Sequence, residues 1–180
     1  MKKKVISIVA VVLVLCCAIG GTLAWLADKT DSVVNTFTVG DINIDLDESK
    51  NLDLKMVPGK TITKDPFVKV EANSEACWLF VKVEKSTNFD DFMTYTIADG
   101  WTALPGVDGV YYRQVAATTA AVTFPVLAGN TVTVKNDVTK TMLNDLTAAT
   151  YPTLTFTAYA VQSDGITDVA TAWAEAQKAV

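Results

Sequence analysis

The chain of 180 residues contains no histidine. This absence excludes the Ser-His-Asp and Cys-His arrangements of nucleophilic enzymes and the paired-histidine motifs of zinc enzymes. It also removes the side chain that most often serves as a general base. No glycine-rich loop with the spacing of a phosphate-binding site is present either. The sequence therefore predicts no catalytic residue, no metal site and no bound cofactor.

Cysteine is scarce, and its three copies do not form a disulfide framework. Cys16 and Cys17 lie in an apolar run near the N-terminus, and Cys77 lies in an alternating apolar run. If the N-terminal run is removed on export, Cys77 remains alone and no intramolecular disulfide can form. A thiol buried in the core is favoured over an intermolecular bridge or a reactive thiol. Lipidation of Cys16 or Cys17 is disfavoured, because both lie within the apolar core and not at its small-residue exit.

The N-terminus has the pattern of a secretory signal. Three lysines follow the initiator methionine, and the run Val5–Ile19 has Ser7 as its only polar residue before two glycines interrupt it. A positive start, an apolar core and an exit of small residues are typical of a signal that a peptidase removes. As a helix the run is about 22 Å long, less than a hydrocarbon core of about 30 Å. A retained anchor, with the helix continuing through Leu26, is the alternative.

The residues after this run identify the cleavage position. Small side chains are required at the first and third positions before the cut, and Ala24 and Thr22 meet this requirement. Cleavage there defines a signal peptide of residues 1–24 and a secreted chain that begins at Trp25. Cleavage after Ala27 is the alternative.

The predicted secreted chain is acidic. Loss of Lys2, Lys3 and Lys4 with the signal leaves twelve basic against twenty acidic residues, a net charge of −8. An acidic surface disfavours nucleic acid and anionic lipid as partners. Contact with a membrane is therefore expected only through an uncleaved signal.

Residues 40–180 have the pattern of a single all-β domain. Apolar and polar side chains alternate in short runs between turn signals, which predicts an antiparallel β-sandwich. Short helical insertions are expected, for instance at Thr87–Met93. The segment Thr167–Val180 differs, because its apolar residues share one face of a helix. A C-terminal helix is therefore expected to follow the sandwich.

Three runs within this domain carry more specific predictions. Cys77–Glu84 begins apolar on both faces, which predicts a central strand. Thr61–Val70 contains Pro66 and is therefore expected to be an edge strand. Leu127–Asn130 is expected to turn the chain between two strands.

Two sets of side chains admit a functional as well as a structural interpretation. Asp41, Asn43, Asp45 and Asp47 fall on one face of a strand, where a solvated face is favoured over a calcium site or carboxylate catalysis. An aromatic set is assigned to the core in preference to a sugar-binding platform. It consists of Trp78, Trp101, Trp173, Tyr111 and Tyr112.

Several stretches carry a resemblance to a known family. They are Ala24–Asp28, Val33–Ile44, Val57–Pro66, Ala76–Val83 and Thr157–Gly165, the last followed by Ala172 and Trp173. These stretches resemble secreted proteins of Gram-positive bacteria that carry a SipW-dependent signal peptide, the TasA and camelysin (CalY) family. The resemblance implies a jelly-roll sandwich, cleavage by a SipW-type signal peptidase, and a location outside the cell or at its surface. From TasA it also implies assembly into biofilm matrix fibres.

The resemblance further implies how such fibres form. The segment freed by cleavage pairs with the sheet of the next subunit, which makes a head-to-tail homopolymer. The candidate donor is the N-terminal extension, residues 25–39. Its assembly strand contains Val33, Val34, Phe37 and Val39. The alternative is that Phe37–Leu46 is the first strand of the sandwich itself, and for Ile42–Leu46 this alternative is favoured. Other matrix proteins are further candidate partners.

Two other functions remain open. Camelysin-like relatives have been assigned a metallopeptidase activity, which the lack of histidine disfavours in this chain. A surface or adhesive module that never polymerises is the second. The sequence thus favours a protein that is not an enzyme but a structural subunit of extracellular fibres or of a cell-surface layer.

Overall fold

The computed structural model describes residues 41–49 and 55–179, and most of their regular structure is antiparallel strand. The described strands are β1 (Ile44–Asp47), β2 (Thr61–Thr63), β3 (Phe67–Val70), β4 (Cys77–Lys85), β5 (Met93–Ile97), β6 (Thr102–Ala103), β7 (Val110–Val115), β8 (Val122–Pro125), β9 (Leu127–Val134) and β10 (Leu154–Gln162). The described helices are α1 (Phe89–Phe92), α2 (Lys140–Asn144) and α3 (Val169–Ala176), and a 3₁₀ turn, Gln177–Ala179, extends α3.

One sheet is built around β4, whose first residues are apolar on both faces. β4 lies between β10 and β7, and β6 follows β7. The residues Cys77–Val81 are all buried, because both faces of the sheet are covered. The prediction of a central strand here is confirmed.

A second layer consists of two three-stranded sheets, β1–β3–β8 and β2–β9–β5, which adjoin at an interruption near Pro66. β2 pairs with β9, and β3 pairs with β8. Backbone bonds continue across the interruption, from Lys64 N–H to Asn130 O at 2.8 Å and from Val126 N–H to Pro66 O at 2.9 Å. β1 adds to β3, and β5 adds to β9.

Two local predictions about this layer are wrong. Leu127–Asn130 does not turn the chain but belongs to β9, where the positive φ angles of Gly129 and Asn130, 60° and 55°, produce a bulge. β5 pairs with β9 on both sides of that bulge. The edge prediction for Thr61–Val70 holds only for β2, since β3 lies between β1 and β8. Pro66 separates the two strands instead of marking one edge strand, because it has no N–H for a ladder.

The β4 sheet and the β1–β3–β8 sheet face each other across one core. Leu79 and Val81 of β4 pack with Val68 and Val70 of β3, and all four are fully buried. This arrangement confirms the prediction of an antiparallel all-β sandwich.

The C-terminal helix covers the outer face of the β4 sheet. Asp168 begins α3, and its carboxylate accepts a hydrogen bond from the Thr171 N–H at 2.9 Å, which lowers the pKa of Asp168. Trp173 then packs on Phe80 of β4, with ring centroids 5.2 Å apart. The predicted helix and one of its two candidate caps are confirmed. The predicted signal helix lies outside the described residues.

The only arginine of the chain bridges the two sheets. Arg113 lies on β7, and its guanidinium carbon is 4.0 Å from the ring centroid of Phe124 on β8 and 5.3 Å from that of Trp101. The Trp101 Nε1–H donates to the Pro125 carbonyl at 2.8 Å, which holds the indole in place. Burial lowers the pKa of Arg113. A flat, weakly hydrated guanidinium is the cation best suited to a position between two rings.

Replacing Arg113 with lysine is predicted to lower the free energy of unfolding by about 1–2 kcal/mol, because an ammonium is more strongly hydrated and cannot stack on both rings. Urea unfolding measures the change. The same substitution in a Phe124→Leu background should cost less, because one ring contact is already absent. An equal loss in both backgrounds contradicts the cation–π explanation.

Candidate functional site

The edge strand β10 is long, regular and uncharged. Its sequence, LTFTAYAVQ, contains no charged residue, proline or glycine. All nine residues pair with β4 in one unbroken register. Edge strands of natural proteins are usually protected by charges, prolines or bulges, because an unprotected edge is a template for another strand. β10 has none of these protections.

Hydrogen bonds just beyond the two ends of β10 determine which of its backbone groups point outwards. The Ser163 N–H donates to the Ala76 carbonyl at 2.9 Å, and the Ser86 N–H donates to the Thr153 carbonyl at 3.0 Å. Bonded and non-bonded pairs alternate along an antiparallel ladder, so the odd-numbered residues of β10 bond to β4. The N–H and C=O groups of the even-numbered residues therefore point to the open edge.

The surroundings of β10 leave this edge accessible within the described part of the chain. None of its nine residues is fully buried, although Phe156 and Ala158 pack against the core and Tyr159 meets Trp173 edge-on at 5.1 Å. β1, an edge strand of the facing sheet, lies near β10. No strand among the described residues pairs with the outer edge of β10. Within the described residues, the outward N–H and C=O groups of β10 are therefore not paired with another strand.

The residues predicted to act in export and assembly lie outside the described residues. They are Thr22, Ala24 and Trp25 at the cleavage position, and Val33, Val34, Phe37 and Val39 in the assembly strand. Their roles stay predictions. The sequence pointed to a candidate donor but not to an acceptor. The sequence did contain one relevant feature, the run Leu154–Gln162, which has no charge, proline or glycine and is rich in Thr, Phe, Tyr and Val.

The acidic residues near the start of the described chain form a solvated strand face. Asp41, Asn43, Asp45 and Asp47 are exposed, and the residues between them are half-buried. The Asn43 amide donates to the Asp41 carboxylate at 2.8 Å. Across residues 41–49 and 55–179, no three or more carboxylate or cysteine side chains are grouped closely enough to hold a metal ion.

Cys77 is a core thiol, as predicted. It is fully buried between the two sheets, and burial raises the pKa of its thiol to about 11. The thiolate is the form that attacks and that binds metals. At neutral pH Cys77 is therefore protonated and out of reach of solvent.

The aromatic set is also part of the core. Trp78, Trp101 and Trp173 are each at most 9% exposed, and Tyr111 and Tyr112 are half-buried. The Trp78 Nε1–H donates to the Ile166 carbonyl at 3.2 Å. These rings offer no open platform for a sugar, which confirms the structural interpretation.

The described part of the chain is thus an antiparallel β-sandwich with an open edge strand and no grouped metal ligands. The family model described as camelysin metallo-endopeptidase matches residues 1–91, and the chain belongs to this camelysin family. The TasA and camelysin family predicted from the resemblance is confirmed, and the SipW-dependent signal stays a prediction. Camelysin-family proteins are secreted or located at the cell surface. No curated protein and no solved structure matches the chain. Among the described residues, no helix has the length and hydrophobicity needed to span a membrane.

The name of the family and the donor groups of this chain disagree. The name refers to a metal-dependent endopeptidase. The chain has no imidazole, its buried thiol is protonated at neutral pH, and the described carboxylates are not grouped. A catalytic metal of the zinc type is held by imidazole, thiolate and carboxylate ligands. The described residues do not fit such an ion.

Proposed function

We propose that the protein is a structural subunit of extracellular fibres of the biofilm-matrix type, or of a cell-surface layer. It assembles after a SipW-type signal peptidase removes residues 1–24, when the freed segment adds as a strand to the next copy. The observation that carries this proposal is the uncharged and open edge of β10 in a camelysin-family protein.

Strand addition suits the chemistry of this edge. The even-numbered residues of β10 present a row of outward N–H and C=O groups, and a segment of similar length would complete the ladder. The candidate donor, residues 25–39, contains β-prone Val33, Val34 and Val39. Burial of the Phe37 ring would stabilise the joint by roughly 1.5–3 kcal/mol.

Signal cleavage controls assembly in this scheme. An attached signal holds residues 25–39 at the membrane, where they cannot reach the edge of a neighbour. Once free, the donor of one copy meets the acceptor of the next through two different surfaces. Such a heterologous contact grows into a filament when it does not close. Other matrix proteins with a similar donor segment are further candidate partners.

Truncation tests the donor. We expect residues 25–180 to form filaments or large oligomers, and residues 40–180 to remain a folded monomer, because the shorter form keeps the acceptor edge but lacks the donor. Electron microscopy and sedimentation velocity distinguish these states. If the longer form stays monomeric at every concentration and pH, the non-polymerising surface module is correct. If the shorter form is unfolded, Phe37 and Val39 belong to the subunit's own core.

A proline at position 158 tests the acceptor. The Ala158 N–H points to the open edge, so Ala158→Pro keeps every bond to β4 but removes an outward donor and obstructs an added strand. We expect this variant to lose filaments, whereas Ala158→Val, of similar size and with its N–H intact, keeps them. Thermal unfolding checks both folds.

Filaments from a folded Ala158→Pro protein would show that β10 is not the acceptor. If that variant does not fold, an excess of a peptide of residues 25–39 provides the second test. The peptide should occupy the edge and shorten the filaments of the unmodified protein, and unchanged filaments argue against strand addition.

A metallo-endopeptidase is the second candidate function, favoured by the name of the family model. We expect the purified secreted protein to leave casein intact with and without added zinc, because the chain lacks imidazole ligands. Gel electrophoresis of the casein is the measurement. The control is material purified in the same way from cells that lack the protein. Chelator-sensitive cleavage that is absent from this control contradicts the prediction.

A further inference from the structure

A cavity of about 740 Å³ lies at the end of the sandwich where β10 begins. β2, α1, β5 and β9 contribute its floor, and the segment from Leu143 to Leu154 contributes a wall. The floor is part of the hydrophobic core, since Ile62, Phe89 and Met93 are all buried. A volume of this size is in the range of small-molecule sites.

The lining of the cavity is mainly aliphatic. The aliphatic residues are Met56, Ile62, Met93, Val132, Leu143, Leu146 and Leu154. Unbranched thioether side chains adapt to irregular shapes, and flexible chains are therefore accommodated well beside them. The rings in the lining are those of Phe89 and Tyr151, and Tyr151 is 54% exposed. This composition suits a flexible hydrocarbon chain better than a flat aromatic ligand.

The charge of the lining is of one sign. Lys55 and Lys64 line the cavity, and no carboxylate among the described residues does, although the chain has 20 acidic residues. The Lys64 side chain is only 16% exposed, and its ammonium lies 5.8 Å from the centroid of the Phe156 ring. It forms an ion pair with Glu48, whose side chain is 42% exposed. A mostly buried lysine side chain in the lining of an aliphatic cavity complements a ligand with an apolar body and an anionic head.

We propose that this cavity binds an amphiphile with one acyl chain and one anionic head group, such as a fatty acid or a lysophospholipid. The chain lies against the aliphatic lining, and the head group binds Lys64 in place of, or together with, Glu48. The acidic surface of the protein is compatible with this ligand. Net charge repels an extended anionic bilayer, whereas one local ammonium selects a single anionic molecule at short range.

Calorimetric titration of the secreted protein with carboxylates of eight to twelve carbons tests the apolar part of the site. Affinity should rise about fourfold for each added methylene. Decanol, with the same chain as decanoate but no charge, should bind at least tenfold more weakly than decanoate, because a charge-assisted bond is lost. Butyrate should not bind. Lysophosphatidylglycerol in a parallel titration distinguishes a lipid source of the ligand from a free acid, and binding of either one supports the site.

Two variants locate the binding. Lys64→Met keeps the aliphatic stem and should abolish the preference for decanoate over decanol. Lys69→Met is the matched control, since Lys69 is also ion-paired but lies outside the cavity lining, and it should bind as the unmodified protein does. Leu143→Trp should fill the cavity and remove binding of both compounds, with the fold checked by thermal unfolding. Leu146→Phe replaces it if the tryptophan variant is unfolded.

Three results would overturn the proposal. One is the absence of saturable decanoate binding. Another is equal affinity for decanoate and decanol in the unmodified protein. The third is binding that survives the cavity-filling variants. A cavity that takes the peptide of residues 25–39 but no decanoate falls under the first result. The titrations use no assembly readout, so failure of this proposal is distinguishable from failure of the fibre proposal.

Discussion

Burial of β4 on both faces is the constraint on which the rest of the structure depends. Its inward side chains need the β1–β3–β8 layer, and its outward aromatic side chains need α3. The side chains of a single strand thus require both the β1–β3–β8 layer and α3. The cost of exposing a fully buried aliphatic or aromatic side chain is about 1.5–3 kcal/mol, so loss of either layer would expose several such side chains together. The sandwich and its C-terminal helix therefore form one cooperative unit around this strand.

A sandwich centred in this way still has edges. The side near β7 and β8 carries the ring–guanidinium–ring arrangement of Trp101, Arg113 and Phe124, which ties the two sheets together. The side near β10 carries no comparable feature in the described residues, and its edge strand has neither charge nor proline. This asymmetry is what a subunit needs if one side is to stay closed while the other accepts a strand from a neighbour.

Membership of the camelysin family brings a name that refers to metal-dependent proteolysis, and within residues 41–49 and 55–179 the side chains do not supply grouped ligands for it. The features that distinguish this chain from a plain sandwich are not those of a metal-dependent catalytic site. They are an open uncharged edge and a cationic, aliphatic cavity, both of which contain Leu154. The first is the feature that the proposed strand addition would use, and the second is the one that the proposed amphiphile would use.

The class of fold and the lack of histidine could both be read from the residues without a structure. Alternation of side chains identified the central strand, the C-terminal helix and the buried thiol, because each is a local pattern that burial imposes directly. The solvated Asp41–Asp47 face followed from the same alternation. Tertiary structure decided the rest. β3 pairs with a strand on each side, although Pro66 suggested an edge strand. Gly129 and Asn130 form a bulge within β9, although glycine and asparagine are residue types that suggested a turn. The open edge of β10 and the cavity beside Lys64 depend on which strands become neighbours, and such contacts between residues distant in the chain leave no periodic signal in the sequence.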